Sequence, residues 1–135
     1  MPLLLDTGVI YALADRDDAW HQRATTYVDE ARDFLVAPVT VLPEAAYLIR
    51  ERLGAAAERM LVASLAAGEL GVEAFTAADL RRCAALLETY PVIGFVDASV
   101  VAIAERLRLR TIATTDRRHF AMIRPRHVRA FELVP

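Results

Sequence analysis

Five short strand-like stretches, four largely apolar and a last one of alternating pattern, punctuate a sequence that otherwise carries helical periodicity, and that succession constrains the fold more than any other feature. The runs cover 3–5, 34–37, 71–75, 110–114 and 128–134. Helical spacing fills the intervals at about 7–13, 15–32, 41–53, 55–67, 77–89 and 96–109, with Gly54 and Gly68 as stops. Strands this short and this apolar need cover on both faces. The predicted fold is therefore α/β, a three-layer α/β/α sandwich around a mostly parallel sheet of about five strands, with residues 1–135 as a single domain. In such sheets ligands bind beyond the carboxyl ends of the strands.

Composition removes several functions at once. All sixteen basic residues counted as Lys plus Arg are Arg, so a P-loop and a phospho-receiver domain, both of which use a lysine, are excluded. The five glycines form no GxGxxG, which removes the usual dinucleotide fingerprint. No apolar run approaches the roughly 18 residues that span a bilayer, and Asp6 interrupts the N-terminal leucines, which argues against a secretory signal. The lone Cys83 forms no internal disulfide and suits a cytoplasmic protein. The net charge of −2 hides an asymmetry: from Arg106 to Arg129 there are eight Arg and one acid, whereas the preceding 105 residues hold eight Arg and sixteen acids. On charge alone a basic C-terminal quarter of this kind reads first as a solvated face with scattered ion pairs; the alternative is a polyanion-facing surface, with Arg110, Arg117, Arg118 and Arg124 as candidate nucleic-acid contacts.

Four acids stand out because each interrupts apolar sequence. They are Asp6 in LLLDTG, Glu44 in VLPEAA, Asp97 in GFVDAS and Asp116 in ATTDRR. Asp6 and Asp116 end predicted strands; Glu44, next to Pro43, and Asp97 open predicted helices. Taken singly, each reads more readily as a cap or a turn acid. Carboxylates gathered in one crevice repel each other and take up protons or a cation, and an all-oxygen set suits Mg²⁺ or Mn²⁺ better than zinc. Such a cluster at a strand-end crevice is equipment for cutting phosphodiesters, and nearby arginines would hold the nucleic-acid backbone. A phosphatase that begins from a strand-end Asp would need a second Asp at position 8, where Gly8 stands. Asp79, in Thr76-Ala-Ala-Asp79, fits a capping box, with a supporting place at the site's edge as the alternative. His119, close after the last acid, is expected to take a structural role beside Phe120, with contact to RNA as the alternative.

With LLLDTGVIYAL, APVTVLPEAAYLI, FVDASVVAIAERL and TIATTDRRHF in that order, the whole chain resembles the PIN-domain nucleases, and within them the VapC-type toxins of toxin–antitoxin pairs. The resemblance carries that family's acidic quartet onto Asp6, Glu44, Asp97 and Asp116 as catalytic and metal-binding residues, and its hydroxyl before the last acid onto Thr114 or Thr115. It implies a PIN-like sandwich, Mg²⁺- or Mn²⁺-dependent cleavage of RNA, a homodimer and a VapB-like antitoxin that blocks the site. One departure is local: many relatives carry Ser where this chain has Gly8. The alternative function is a non-catalytic RNA- or protein-binding domain on the same scaffold, for which loss of a quartet acid would be the mark.

Overall fold

A computed structural model describes residues 1–135. In chain order the elements are β1 (Pro2–Leu5), α1 (Thr7–Ala14), α2 (His21–Ala31), β2 (Phe34–Pro38), a 3-10 turn at Val39–Val41, α3 (Leu42–Leu53), α4 (Ala55–Ala66), β3 (Gly71–Glu73), α5 (Ala77–Thr89), α6 (Phe95–Leu107), β4 (Thr111–Ala113), α7 (Arg117–Met122) and β5 (Glu132–Val134). No helix is long and apolar enough to cross a membrane.

The five strands form one sheet in the order β3-β2-β1-β4-β5, and every pairing is parallel. Leu3 pairs with Leu35, while Leu4 and Leu5 pair with Ile112 and Ala113. Burial on both faces explains the continuous leucines of β1 at the centre of the sheet, whereas the edge strands β3 and β5 carry Glu73 and Glu132. The chain runs outward from β1 through β2 to β3, then returns to the other side of β1 for β4. Helices α1, α2, α3 and α4 pack on one another, and α5 packs on α6; the right-handed crossovers general to parallel sheets would set these two groups on opposite faces. The order reverses between β1 and β4, so their carboxyl ends flank the switch-point crevice where such sheets bind ligands.

Thirty buried hydrophobic residues make one core. Helix α6 is buried all round, with Ala98 through Ala104 all enclosed, rather than along the single face that Val96, Val100, Ile103, Ala104 and Leu107 define. Only small and β-branched side chains at these positions let the helix pack that closely between α5 and the sheet. Cys83 is buried in the same core, and burial pushes its thiol up to about 11, the state of an inert packing residue.

Three local features depart from the sequence expectation. Helix α2 starts at His21 rather than in the acidic run from Asp15. The carboxylates of Asp15 and Asp18 accept the backbone N–H groups of Asp17 and Trp20, which stabilises turns in place of a helical first turn. β5 is limited to 132–134, shorter than the alternation of 128–134 implies. An additional short helix, α7, follows Asp116.

Candidate active site

The first acid owes its place to β1. Its three core leucines run into the sheet, and Asp6 leaves at the carboxyl end as the N-cap of α1, 5% exposed. Its backbone N–H donates to the Ala113 carbonyl at 2.9 Å, which locks the ends of β1 and β4 together. Thr114, fully buried, extends that link through its side chain. Its hydroxyl donates to Asp6 Oδ2 at 2.9 Å and accepts the backbone N–H of Asp116 at 2.9 Å. The hydroxyl expected before the last acid therefore joins the first and last members of the quartet.

Asp116 caps α7, accepting the His119 N–H at 3.3 Å. The single turn between them carries the His119 ring back over the cluster. Its Nδ1 lies 2.9 Å from Asp116 Oδ2 and 3.1 Å from Asp97 Oδ2. Asp97 enters from the first turn of α6, and Glu44 from the first turn of α3 beside Pro43. All four acids, together with Thr7, Gly8, Thr115 and His119, line one cavity of about 460 Å³. Asp97, Asp116 and His119 each present a ligand atom within 4.8 Å of the others, while Asp6 and Glu44 stand outside that trio. A slightly larger cavity of about 480 Å³ lies elsewhere, lined mostly by aliphatic side chains such as Leu5, Leu35, Ile49 and Leu61, and holds none of the four acids.

The electrostatics favour a cation. Burial pushes the Asp6 carboxyl up to about 6; hydrogen bonds from the Thr7 backbone and Thr114 offset only part of this, and the charges of Asp97 and Glu44 add to it. Burial also raises Asp97, with His119 opposing and Asp116 reinforcing the shift. Buried acids that repel each other, with an orphaned hydroxyl on Thr7 at the same cavity, form a donor set that fits a hard divalent ion.

This arrangement predicts a pH-dependent stability. The folded state holds the Asp6 proton more tightly than the unfolded chain, whose value is 3.8. The associated stability is fully present below that value and is lost as pH rises through about 6. In EDTA, Asp6→Asn is therefore expected to melt above wild type at pH 7.5, by at most about 3 kcal/mol, and to show no advantage at pH 4. Added Mn²⁺ should stabilise wild type and not the variant. Thermal denaturation at the two pH values checks this, and a lower melting temperature for metal-free Asp6→Asn at pH 7.5 would contradict it.

Other expected site residues fall elsewhere. Asp79 does not reach the acidic cavity. It completes the capping box of α5 with Thr76 and receives Arg106 Nε at 3.0 Å, so its supporting role is structural. Arg110 precedes β4 and stands at the amino edge of the sheet, opposite the acids. Arg124 is exposed beyond α7, its backbone N–H donating to the Tyr90 hydroxyl. Arg117 and Arg118 begin α7 beside Asp116 and are exposed; the Arg117 guanidinium also bonds the Pro135 carbonyl. His119 corrects the packing expectation, since its ring lies among the acids. Its spacing of three residues from Asp116 is the helical i,i+3 signal that an unrecognised α7 conceals.

Comparisons with known proteins give the family. The PIN domain family model matches residues 3–124. The ribonuclease VapC26 of Mycobacterium tuberculosis is 33% identical over 135 residues, covering 98% of this chain and all of that protein. Among solved structures, M. tuberculosis VapC20, a Sarcin-Ricin loop cleaving toxin, superposes with a TM-score of 0.78 at 22% identity, covering 87% of this chain and 92% of that one. VapBC2 from Rickettsia felis, bound to a DNA fragment from its promoter, gives a TM-score of 0.72 at 17% identity over the full length of both chains. At these identities the two structures speak to the fold. From the family match over nearly its whole length and the end-to-end likeness to a VapC protein, the chain belongs to the PIN-domain family, on its VapC-type branch.

Proposed function

We propose that this protein is a divalent-metal-dependent endoribonuclease and the toxin of a toxin–antitoxin pair. The observation that carries the reading is the convergence of Asp6, Glu44, Asp97 and Asp116 on one cavity at the β1–β4 switch point. Its kinship with a named ribonuclease, VapC26, supports RNA as the substrate. Asp6, Asp97 and Asp116 would hold Mg²⁺ or Mn²⁺, with Glu44 as a fourth ligand or as the base that orients the attacking water. When bound there, the ion supplies positive charge and water activation for phosphodiester hydrolysis. Thr114 fixes the Asp6 carboxylate, and His119 holds Asp97 and Asp116 together through Nδ1. Arg117 and Arg118, exposed at the start of α7 next to Asp116, would hold the RNA backbone. In-line attack of water on phosphorus leaves a 5′-phosphate and a 3′-hydroxyl.

An antitoxin partner and a homodimer belong to the same proposal. Solved relatives include a toxin–antitoxin complex from Klebsiella pneumoniae. Tyr47 on α3 with Met60 and Val62 on α4 leaves apolar surface for such partners.

The test is cleavage of a mixed RNA pool by protein freed of any copurified partner, in Mg²⁺, in Mn²⁺ and in EDTA. Cleavage is expected with either metal and none in EDTA. Persistent cleavage in EDTA, or none with metal at any protein concentration, would refute the proposal in favour of contamination or a binding domain respectively.

A further inference from the structure

The absence of a side chain at Gly8 has a specific spatial reason. The hydroxyl oxygen of Thr115 occupies the place that a Cβ on residue 8 would take, and Thr115 Cβ and Cγ2 lie 3.3 and 3.5 Å from that point. Both residues line the acidic cavity. The two adjacent threonines are used differently: Thr114 is buried and spends its hydroxyl on Asp6 and Asp116, whereas Thr115 is partly exposed and its hydroxyl makes no hydrogen bond within the chain.

Around this hydroxyl the cavity is crowded with acceptors. Ionised carboxylates accept hydrogen bonds and cannot donate them. They provide well for a cation and the waters on it, but they repel the oxygens of a phosphodiester. A neutral hydroxyl, in contrast, is a poor competitor for a cation beside four carboxylates and a good donor to an anionic oxygen.

We propose that Thr115 is a phosphate-positioning residue, its Oγ1–H donating to a nonbridging oxygen of the RNA phosphate in the crevice, and that Gly8 is glycine to admit that hydroxyl. The proposal rests on the nuclease reading for its substrate and goes beyond it by naming the donor and the residue that makes room for it.

The test separates RNA binding from metal binding and from turnover. Labelled single-stranded RNA is titrated by fluorescence anisotropy in Ca²⁺, Mn²⁺ affinity is read by electron paramagnetic resonance, and cleavage is followed in Mg²⁺. Thr115→Val removes the donor at nearly constant volume and is expected to weaken RNA binding about 10- to 100-fold. Its Mn²⁺ affinity should stay within about twofold of wild type, as for a group that does not touch the ion. Thr115→Ser should keep the RNA affinity. Gly8→Ser should lose it as Thr115→Val does, because the new Cβ displaces the Thr115 hydroxyl. The double variant Gly8→Ser/Thr115→Ala should regain most of it, its hydroxyl entering the vacated space.

Unchanged RNA affinity in Thr115→Val, or a loss of Mn²⁺ affinity that matches the loss of RNA affinity, would overturn the proposal. Wild-type protein that binds RNA in a Thr115-dependent way yet never cleaves it would sustain the contact and remove the nuclease reading. Wild type that binds no RNA at all would remove both.

Discussion

Asp97→Asn is expected to abolish metal-dependent RNA cleavage, lowering the rate by about 10³-fold or more, and to leave the fold intact. The magnitude follows from the several kcal/mol that a bound metal contributes to a phosphoryl transition state and from a factor of ten for each 1.36 kcal/mol. Asp97 is the suitable acid to remove because it stands at the junction of the cluster, close to Asp116 and His119. Burial already disfavours its charge in the folded protein, since its carboxyl lies above the usual range. A neutral amide of the same shape therefore relieves repulsion among the acids instead of leaving a cavity. The variant should melt at or above the wild-type temperature without metal and lose the Mn²⁺-induced increase. Cleavage within tenfold of wild type, or a melt well below it, would refute this account of the site.

Much of this site is legible in the sequence because its parts are local. A polar carboxylate can end an aliphatic strand only where the chain emerges from the sheet, which marks Asp6 and Asp116. Pro43 confines Glu44 to the first turn of α3, and Gly94 ends the preceding loop just before Asp97. The strand order is different, because aliphatic runs pair equally well in several sequences. Only the three-dimensional sheet shows that β1 lies beside β4 and thus that Asp6 meets Thr114 across the gap. His119 was hidden for a related reason. The sequence RRHFAM of α7 is too short and too charged for a periodic signal, and without its helical turn the ring has no assigned direction. The space at Gly8 was also unreadable, because a missing side chain shows nothing of the distant Thr115 that fills its place.

In the basic C-terminal quarter the expected ion pairs appear, with partners distant in sequence. Arg106 belongs to that quarter but faces the protein: it donates from Nε to Asp79 at 3.0 Å, from Nη1 to Glu73 at 3.0 Å and from Nη2 to the Ala74 carbonyl at 2.9 Å. It thereby ties the end of α6 to the start of α5 and to the end of β3. Next to it, Arg82 and Glu105 form a paired contact at 2.7 and 3.1 Å. These arginines are engaged within the protein, whereas Arg117 and Arg118 begin α7 next to Asp116 and are exposed.

Arg106→Ala is accordingly expected to be a stability variant and not an activity variant. Its cost is set by what it abandons. Asp79 is 2% exposed, and without Arg106 it is a buried carboxylate with only the capping bonds of Thr76. Removing one partner of a buried pair typically costs 3–5 kcal/mol; because the Arg106 side chain is itself partly exposed, about 3 kcal/mol is the expected loss, roughly 10 °C in melting temperature. Burial raises the Asp79 carboxyl, but hydrogen bonds from Arg106 and Thr76 more than offset it and hold the group below 3.8. This contribution is thus present above that value and is lost as pH falls through the lower folded one, so wild type and variant should converge in strongly acidic solution. Asp79→Asn in the Arg106→Ala background removes the stranded charge while keeping an acceptor for the Thr76 N–H, and should recover part of the loss. Urea denaturation of wild type, both single variants and the double variant measures the coupling directly. RNA cleavage well below the melting temperature should be unchanged in Arg106→Ala. A double variant no more stable than Arg106→Ala, or a single variant as stable as wild type at pH 7, would show that Asp79 does not depend on Arg106.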